Sequence, residues 1–210
     1  MNTKKHDFDK EANLWDDDPL RIKLADDIFR CISREMVLSP GLDIMDYGCG
    51  TGLLTLQFHP LVRSITGFDS SEGMLNVFRK KVKDKNLSRV EAHHINLDAQ
   101  ATVNGQYHLI TSNMTLHHVK NIQPLLHQFY KVLQPSGYLC ITDLDTDDGK
   151  FHDNNDGVFH QGFDRSVLQK FYKKTGFVDI RDIKATEIRK TGRDGIERNF
   201  SVFLMIGRKG

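Results

Sequence analysis

Asp46-Tyr47-Gly48-Cys49-Gly50-Thr51-Gly52-Leu53 follows directly on the apolar run Leu42-Asp43-Ile44-Met45, and this junction decides how the rest of the chain is read. LDIMDY (42–47) reads as a short buried strand that turns into a helix through the glycines. Alternate glycines let the backbone turn tightly and let a ligand approach without Cβ clashes. The expected helix would aim unpaired N–H groups and a positive dipole end at that ligand. Such a trio can also be a packing turn, and Asp46 sharpens the choice. A carboxylate two residues before the first glycine repels a pyrophosphate and favours a cationic group such as an ammonium. The spacing GxGxG also departs from the GxGxxG of dinucleotide sites.

Outward from the junction, strand and helix signals alternate. Upstream, Pro19 opens a helix with Leu20, Leu24, Ile28, Ile32 and Met36 at spacing four, ended by Pro40 and Gly41. Downstream, Ser64–Asp69 is a second strand. Ser71 caps a helix whose apolar face is Met74, Leu75, Phe78 and Val82. Val90–Ile95 and Tyr107–Ser112 are further strands. Asn121 caps a helix stopped by Pro135 and Gly137, and Tyr138–Thr142 is a fifth strand. Residues 145–162 form a long polar loop, 164–174 a helix ended by Gly176, and 177–189 with 198–207 an antiparallel hairpin. The expected fold class is therefore α/β: a doubly wound, mostly parallel sheet, helices on both faces, with a C-terminal antiparallel hairpin. Ligands of such sheets bind beyond the carboxyl ends of the strands, at the topological switch point.

Composition narrows the function classes. The 210 residues fit one domain, with 39% hydrophobic and 27% charged residues, enough for a core. Lys plus Arg (29) against Asp plus Glu (28) leaves a net charge of +1, which excludes a global basic field for nucleic acid or anionic lipid. Three cysteines without a CxxC pair, and an opening MNTKKHDFDKEANLWDDD with no apolar stretch behind its lysines, lead to the expectation of a reduced, cytoplasmic protein. The run Val202–Ile206 is too short to cross a bilayer, so no membrane partner is expected. The oligomeric state is not legible.

Two further acids follow strands. Asp69, seventeen residues beyond Gly52, ends the second strand in GFDSSEGM, where a carboxylate can accept both hydroxyls of a ribose. Asp98, in INLDA, can accept from an adenine amine or serve as a plain loop aspartate.

On these residues the sequence resembles the class I S-adenosylmethionine-dependent methyltransferases, of small-molecule type. The matching stretches are DYGCGTGLLT (46–55), GFDSSEGML (67–75), INLDA (95–99), YHLITSNMTLHHV (107–119) and VLQPSGYLCITD (132–143), about half the chain. The resemblance implies a seven-stranded sheet in the order 3-2-1-4-5-7-6 with the seventh strand antiparallel. It implies an N-terminal lid and helix segment (1–40) on a cofactor-binding domain (41–210). It also implies that Asp46 and the loop of Gly48, Cys49, Gly50 and Gly52 hold the methionine part of the cofactor. Asp69, with Ser70 and Met74 nearby, would take the ribose, and Asp98 with Ala99 would flank the adenine. Asn113 and Met114 would line the cleft near the sulfonium. The cofactor would be S-adenosyl-L-methionine, leaving as S-adenosyl-L-homocysteine.

Methyl transfer needs alignment and exclusion of water, and a base only where the acceptor arrives protonated. His117 and His118, just after the fourth strand, are the candidate bases; either can instead pack beneath the cofactor. In the loop 149–165, His152, Asp153, Asp156 and His160 are ligand types, but their spacing matches no metal motif. No metal is expected; a substrate-contacting lid with His152 and His160 is favoured over a plain surface loop. Trp15, the sole tryptophan, either covers the cleft or packs on the sheet edge. The basic run Arg79, Lys80, Lys81, Lys83 and Lys85 reads as a solvated helix face. The strand-four motif SNMT is not the (N/D)PPY of adenine or glutamine amino-methyltransferases, so the acceptor is expected to be a small molecule of unidentified nucleophile. The alternatives are a non-catalytic regulator that binds the same cofactor and, less favoured, an RNA or protein methyltransferase. A nicotinamide oxidoreductase is disfavoured by Asp46 and the glycine spacing.

Overall fold

The computed structural model describes residues 7–95 and 102–210. Seven strands form one sheet: β1 (Asp43–Tyr47), β2 (Ser64–Asp69), β3 (Val90–His94), β4 (Tyr107–Asn113), β5 (Leu133–Leu144), β6 (Phe177–Thr191) and β7 (Glu197–Lys209). Their order is β3-β2-β1-β4-β5-β7-β6. The first five run parallel, and β7 lies antiparallel between β5 and β6. This is the expected architecture.

Why the sheet is covered on both sides is written in its central strands. Successive side chains of a strand point to opposite faces. Leu139 and Ile141 of β5, with Phe203 and Met205 of β7, join one apolar cluster, whereas Cys140, Leu144, Val202, Leu204 and Ile206 join the other. A strand buried on both faces shows no alternation, which is why Val202–Ile206 is an unbroken apolar run. Helices α4 (Ile122–Val132) and α5 (Arg165–Thr175) cover the first face through Leu126, Phe129, Leu168 and Tyr172. Helices α2 (Pro19–Glu35) and α3 (Glu72–Asp84) cover the second through Ile28, Ile32, Leu75 and Phe78. Ser71 caps α3 as expected, its hydroxyl accepting from the Met74 amide at 3.1 Å. Gly176 ends α5 in the left-handed region at φ +109°. A short N-terminal helix, α1 (Phe8–Glu11), and a 3-10 turn (Ala12–Asp17) precede α2.

Three expectations are corrected. No α-helix follows the glycine loop; two single 3-10 turns, Thr55–Gln57 and His59–Leu61, stand there. Pro60 has no amide to donate to Leu56 O, so a continuous α-helix cannot run from the loop through this position. The dipole anticipated at this loop is therefore absent. Strand β5 begins at Leu133, not Tyr138, because the chain leaves α4 straight into the sheet, with Ser136 at φ +62° absorbing the irregularity. Asn121 precedes α4 without a side-chain cap. Among the described residues no helix is long and apolar enough to cross a membrane. Cys31, Cys49 and Cys140 are buried and unpaired.

Candidate functional site

The carboxyl ends of β1, β2 and β4 open into one cleft of about 740 Å³, which β6 also lines through Ile188 and Lys190. Its floor is the glycine loop. Gly48 (φ +76°) donates its amide to Phe68 O at 2.7 Å; a Cβ there would lie 2.0 Å from Thr115 Oγ1. Gly50 is the opposite case: at φ +53° a Cβ would meet nothing within 4 Å, so this backbone faces open space. Gly52 (φ +85°) is held against the Phe78 ring, where a Cβ would come within 2.6 Å, so it serves packing. The Cys49 thiol is buried, and desolvation pushes its pKa up.

Asp46 is 2% exposed. The Thr111 hydroxyl donates to it at 2.8 Å and the Thr55 hydroxyl donates to its other oxygen. Burial pushes its pKa up to about 6; the two hydroxyls oppose the rise and the neighbouring Asp69 adds to it. Its charge at neutral pH is thus costly, and a ligand cation would relieve that cost. Asp69, half-buried, accepts from the amides of Gly50 (2.8 Å) and Ser71 (2.9 Å), which ties the end of β2 to the glycine loop. Ser70 and Met74 also line the cleft. Asn113 accepts from the Thr142 hydroxyl at 2.9 Å. Met114, at φ +49°, donates its amide hydrogen to Thr142 O at 2.9 Å. A non-glycine residue in that region marks backbone that its surroundings over-determine. Asp98 and Ala99 lie outside the described residues.

The far wall carries the imidazoles. His117, 1% exposed, points Nδ1 at Asp143 Oδ1, 2.7 Å away. Asp143 is wholly buried and also accepts from the amides of His117 (3.2 Å) and Leu144 (2.8 Å). This carboxylate fixes the tautomer, placing the proton on Nδ1 and the basic lone pair on Nε2. Sequence reading missed Asp143; the signal was an acid at the end of an apolar strand, in YLCITD. His118 bonds Gly157 O at 2.8 Å, and its ring centroid lies 4.1 Å from that of His117. His152 joins them from the 149–163 loop, its ring centroid 4.8 Å from that of His117. His160 does not line the cleft: its Nε2 is bonded to Val119 O at 3.0 Å and its ring packs on Phe163, so it anchors the loop. Among the described residues no group of three His, Cys, Asp or Glu side chains is placed to hold a metal.

The N-terminal segment closes one side. Asp9 accepts from Ser71 Oγ and from the Gly73 amide at 2.8 Å. Asp16 accepts from Thr51 Oγ1 at 2.6 Å and pairs with Lys81. Trp15 lines the cleft, with the Arg21 guanidinium 3.6 Å from its ring centroid. Lys81 therefore departs from the expected solvated face and holds this strap. The residues fit a zwitterionic nucleoside: a backbone cradle open at Gly50, a strained buried carboxylate beside it, and a second carboxylate at the adjoining strand end.

A family model described as a methyltransferase domain matches residues 44–137. The chain is 28% identical over 183 residues to the Uncharacterized methyltransferase C1347.09 of Schizosaccharomyces pombe, covering 80% of this chain and 62% of that protein. It is 31% identical over 111 residues to a demethylmenaquinone methyltransferase of Listeria welshimeri, covering 51% and 47%. The chain thus spans about half to three-fifths of these curated relatives. A crystal structure of a SAM-dependent methyltransferase from Aquifex aeolicus superposes with a TM-score of 0.72 at 19% identity, over 98% of this chain and 100% of that one, and shares the fold. Residues 44–137 match a methyltransferase domain, and the strand order and glycine loop are those expected of the class I S-adenosylmethionine-dependent methyltransferase fold.

Proposed function

We propose that this cleft transfers a methyl group from S-adenosyl-L-methionine to a small-molecule acceptor. One observation carries the reading: His117, bonded behind to buried Asp143, lines the same cleft onto which Asp69 and the glycine loop open. A cleft that only sensed the nucleoside would have no use for an imidazole whose tautomer is fixed by a buried acid. The relatives named for demethylmenaquinone support a small-molecule acceptor.

The residues divide the work. Asp46 and the Gly48–Gly52 backbone hold the amino-acid end, Asp69 the ribose hydroxyls, and Asn113 with Met114 the wall between nucleoside and acceptor. The cofactor supplies an electrophilic methyl on a sulfonium, whose departure as a neutral thioether needs no acid. His117 Nε2 takes the acceptor's proton, and Asp143 stabilises the imidazolium that results. Trp15 and the loop around His152 exclude water.

Calorimetry with S-adenosylmethionine, S-adenosylhomocysteine and NAD tests the first half: the two sulfur nucleosides bind and NAD does not. Turnover on a metabolite panel, read as S-adenosylhomocysteine release, tests the second. Tight binding with no turnover on any acceptor would instead assign a regulatory role.

A further inference from the structure

We propose that His152 and Lys190 form the acceptor subsite and that the acceptor presents an acidic oxygen there, as a phenol, an enol or a carboxylic acid. The proposal rests on the reading of this cleft as a methyl-transfer site and assigns the chemistry of its second ligand.

The first observation is an orphan atom. His152 Nε2 is buried and has no hydrogen-bond partner among the described residues. Its ring packs against those of His117 and His118 and meets Phe151 edge-on, with centroids 4.9 Å apart. Leaving such an atom unpaired is costly, and a native protein keeps one where something else completes it. The residue lines the cleft, so the completing atom belongs to what the cleft binds. Burial, together with the adjoining imidazoles, pushes the His152 pKa down to about 3. The ring is therefore neutral at physiological pH and acts as a hydrogen-bonding group, not as a charge.

The second observation is a cation. Lys190, on β6, lines the same end of the cleft with its side chain 25% exposed, and its ammonium stands 4.9 Å from the Phe151 ring centroid. Its ion pair is with Asp153, 3.6 Å away, whose side chain is 88% exposed. A pair so long and so open to solvent neutralises little of the charge. The neighbouring carboxylates are committed elsewhere: Asp143 to His117, Asp156 to Asn154, and Glu11 and Asp18 to Arg21. An ammonium beside a neutral imidazole repels a protonated amine and attracts an acidic oxygen. Phe151 and Ile188 supply the apolar wall for the body of the molecule.

The test uses the full chain saturated with S-adenosylhomocysteine, titrated in a calorimeter with 4-hydroxybenzoate, benzyl alcohol and benzylamine. The acidic probe is expected to bind at least about tenfold more tightly than the neutral and cationic ones. His152→Phe and Lys190→Met should each weaken it by about tenfold, the usual consequence of losing one polar contact. His152→Gln, which returns an amide nitrogen near the place of Nε2, should keep most of the affinity. His152→Phe should melt no lower than the wild type, since it removes an unpaired buried group; a purely structural histidine would lower the melting temperature. Should His152→Phe fail to fold, Lys190→Met at the cleft edge carries the same test. Benzylamine binding as tightly as 4-hydroxybenzoate, no binding of 4-hydroxybenzoate, or wild-type affinity in both variants overturns the proposal. Failure of S-adenosylhomocysteine to bind counts against the methyl-transfer reading instead; the subsite is then read from the same probes and variants on ligand-free protein.

Discussion

On the β1–β2 side of the cleft the carboxylates are held by the protein itself: Asp46 by two threonine hydroxyls, Asp69 by two backbone amides. On the β4–β5 side, the His117–Asp143 pair is closed, yet His152 Nε2 has no partner among the described residues and Phe159 is 46% exposed. The first side is preorganised by its own backbone before any ligand arrives. The second is left polar and incomplete, so discrimination between acceptors belongs there. Nucleoside binding and acceptor choice should therefore be separable by mutation.

The largest effect is expected where the two sides meet in chemistry. Asp143→Asn keeps the shape but lets His117 take the wrong tautomer, and turnover on any acceptor identified should fall roughly 10²–10⁴-fold, the range of a lost general base. Cofactor affinity should stay at the wild-type level by calorimetry. A joint loss of both would mean that the two sides are not independent.

Asp46→Asn cuts the other way. A carboxyl whose folded pKa is raised from 3.8 to about 6 gives stability that is complete below its unfolded value and is lost as pH rises through 6. The asparagine variant should therefore gain about 1–3 kcal/mol at pH 7.5 and little at pH 4, read by thermal melts. The wild type should bind S-adenosylmethionine more weakly as pH falls below about 6, where Asp46 takes a proton. The variant should bind weakly at every pH. Stability bought at the expense of binding is the mark of a functional residue.

Asp69→Ala, nearer the solvent, should weaken S-adenosylhomocysteine binding by about 1–3 kcal/mol, the cost of stranding polar partners. Acceptor-probe binding to the ligand-free protein should hardly change.

The same contrast governs what the sequence reveals. The nucleoside side is local: Asp46 to Gly52 is one strand and one turn, and Asp69 ends the next strand. Strand periodicity and glycine spacing suffice to read it. The acceptor side is assembled from residues 117, 143, 152 and 190, which lie on four elements and meet only when β6 and the 149–163 loop fold over the ends of β4 and β5. No spacing encodes that meeting, so Asp143 and Lys190 went unread, and His160 looked equivalent to His152. The missing helix after Gly52 has a different cause. Its apolar residues, Leu53, Leu54 and Leu56, suggest a helix, but Pro60 and the packing of Gly52 on Phe78 break the chain into 3-10 turns.

The smallest effect tests whether the strap is part of the nucleoside side. Lys80 and Lys81 are neighbours on α3 with the same composition-level reading. Lys80 pairs with Asp84 one turn on, the two side chains 76% and 56% exposed, and Lys80→Ala should leave melting and binding unchanged. Lys81 is 23% exposed, donates to Thr51 O at 2.9 Å and pairs with Asp16, joining the strap to the glycine loop. Lys81→Ala should loosen residues 12–18, speed proteolysis there, and weaken S-adenosylhomocysteine binding by a few-fold, while turnover at saturating cofactor stays near wild type. If Lys81→Ala matches Lys80→Ala in all three readouts, the strap only rests on the cleft, and Trp15 takes no part in holding the nucleoside.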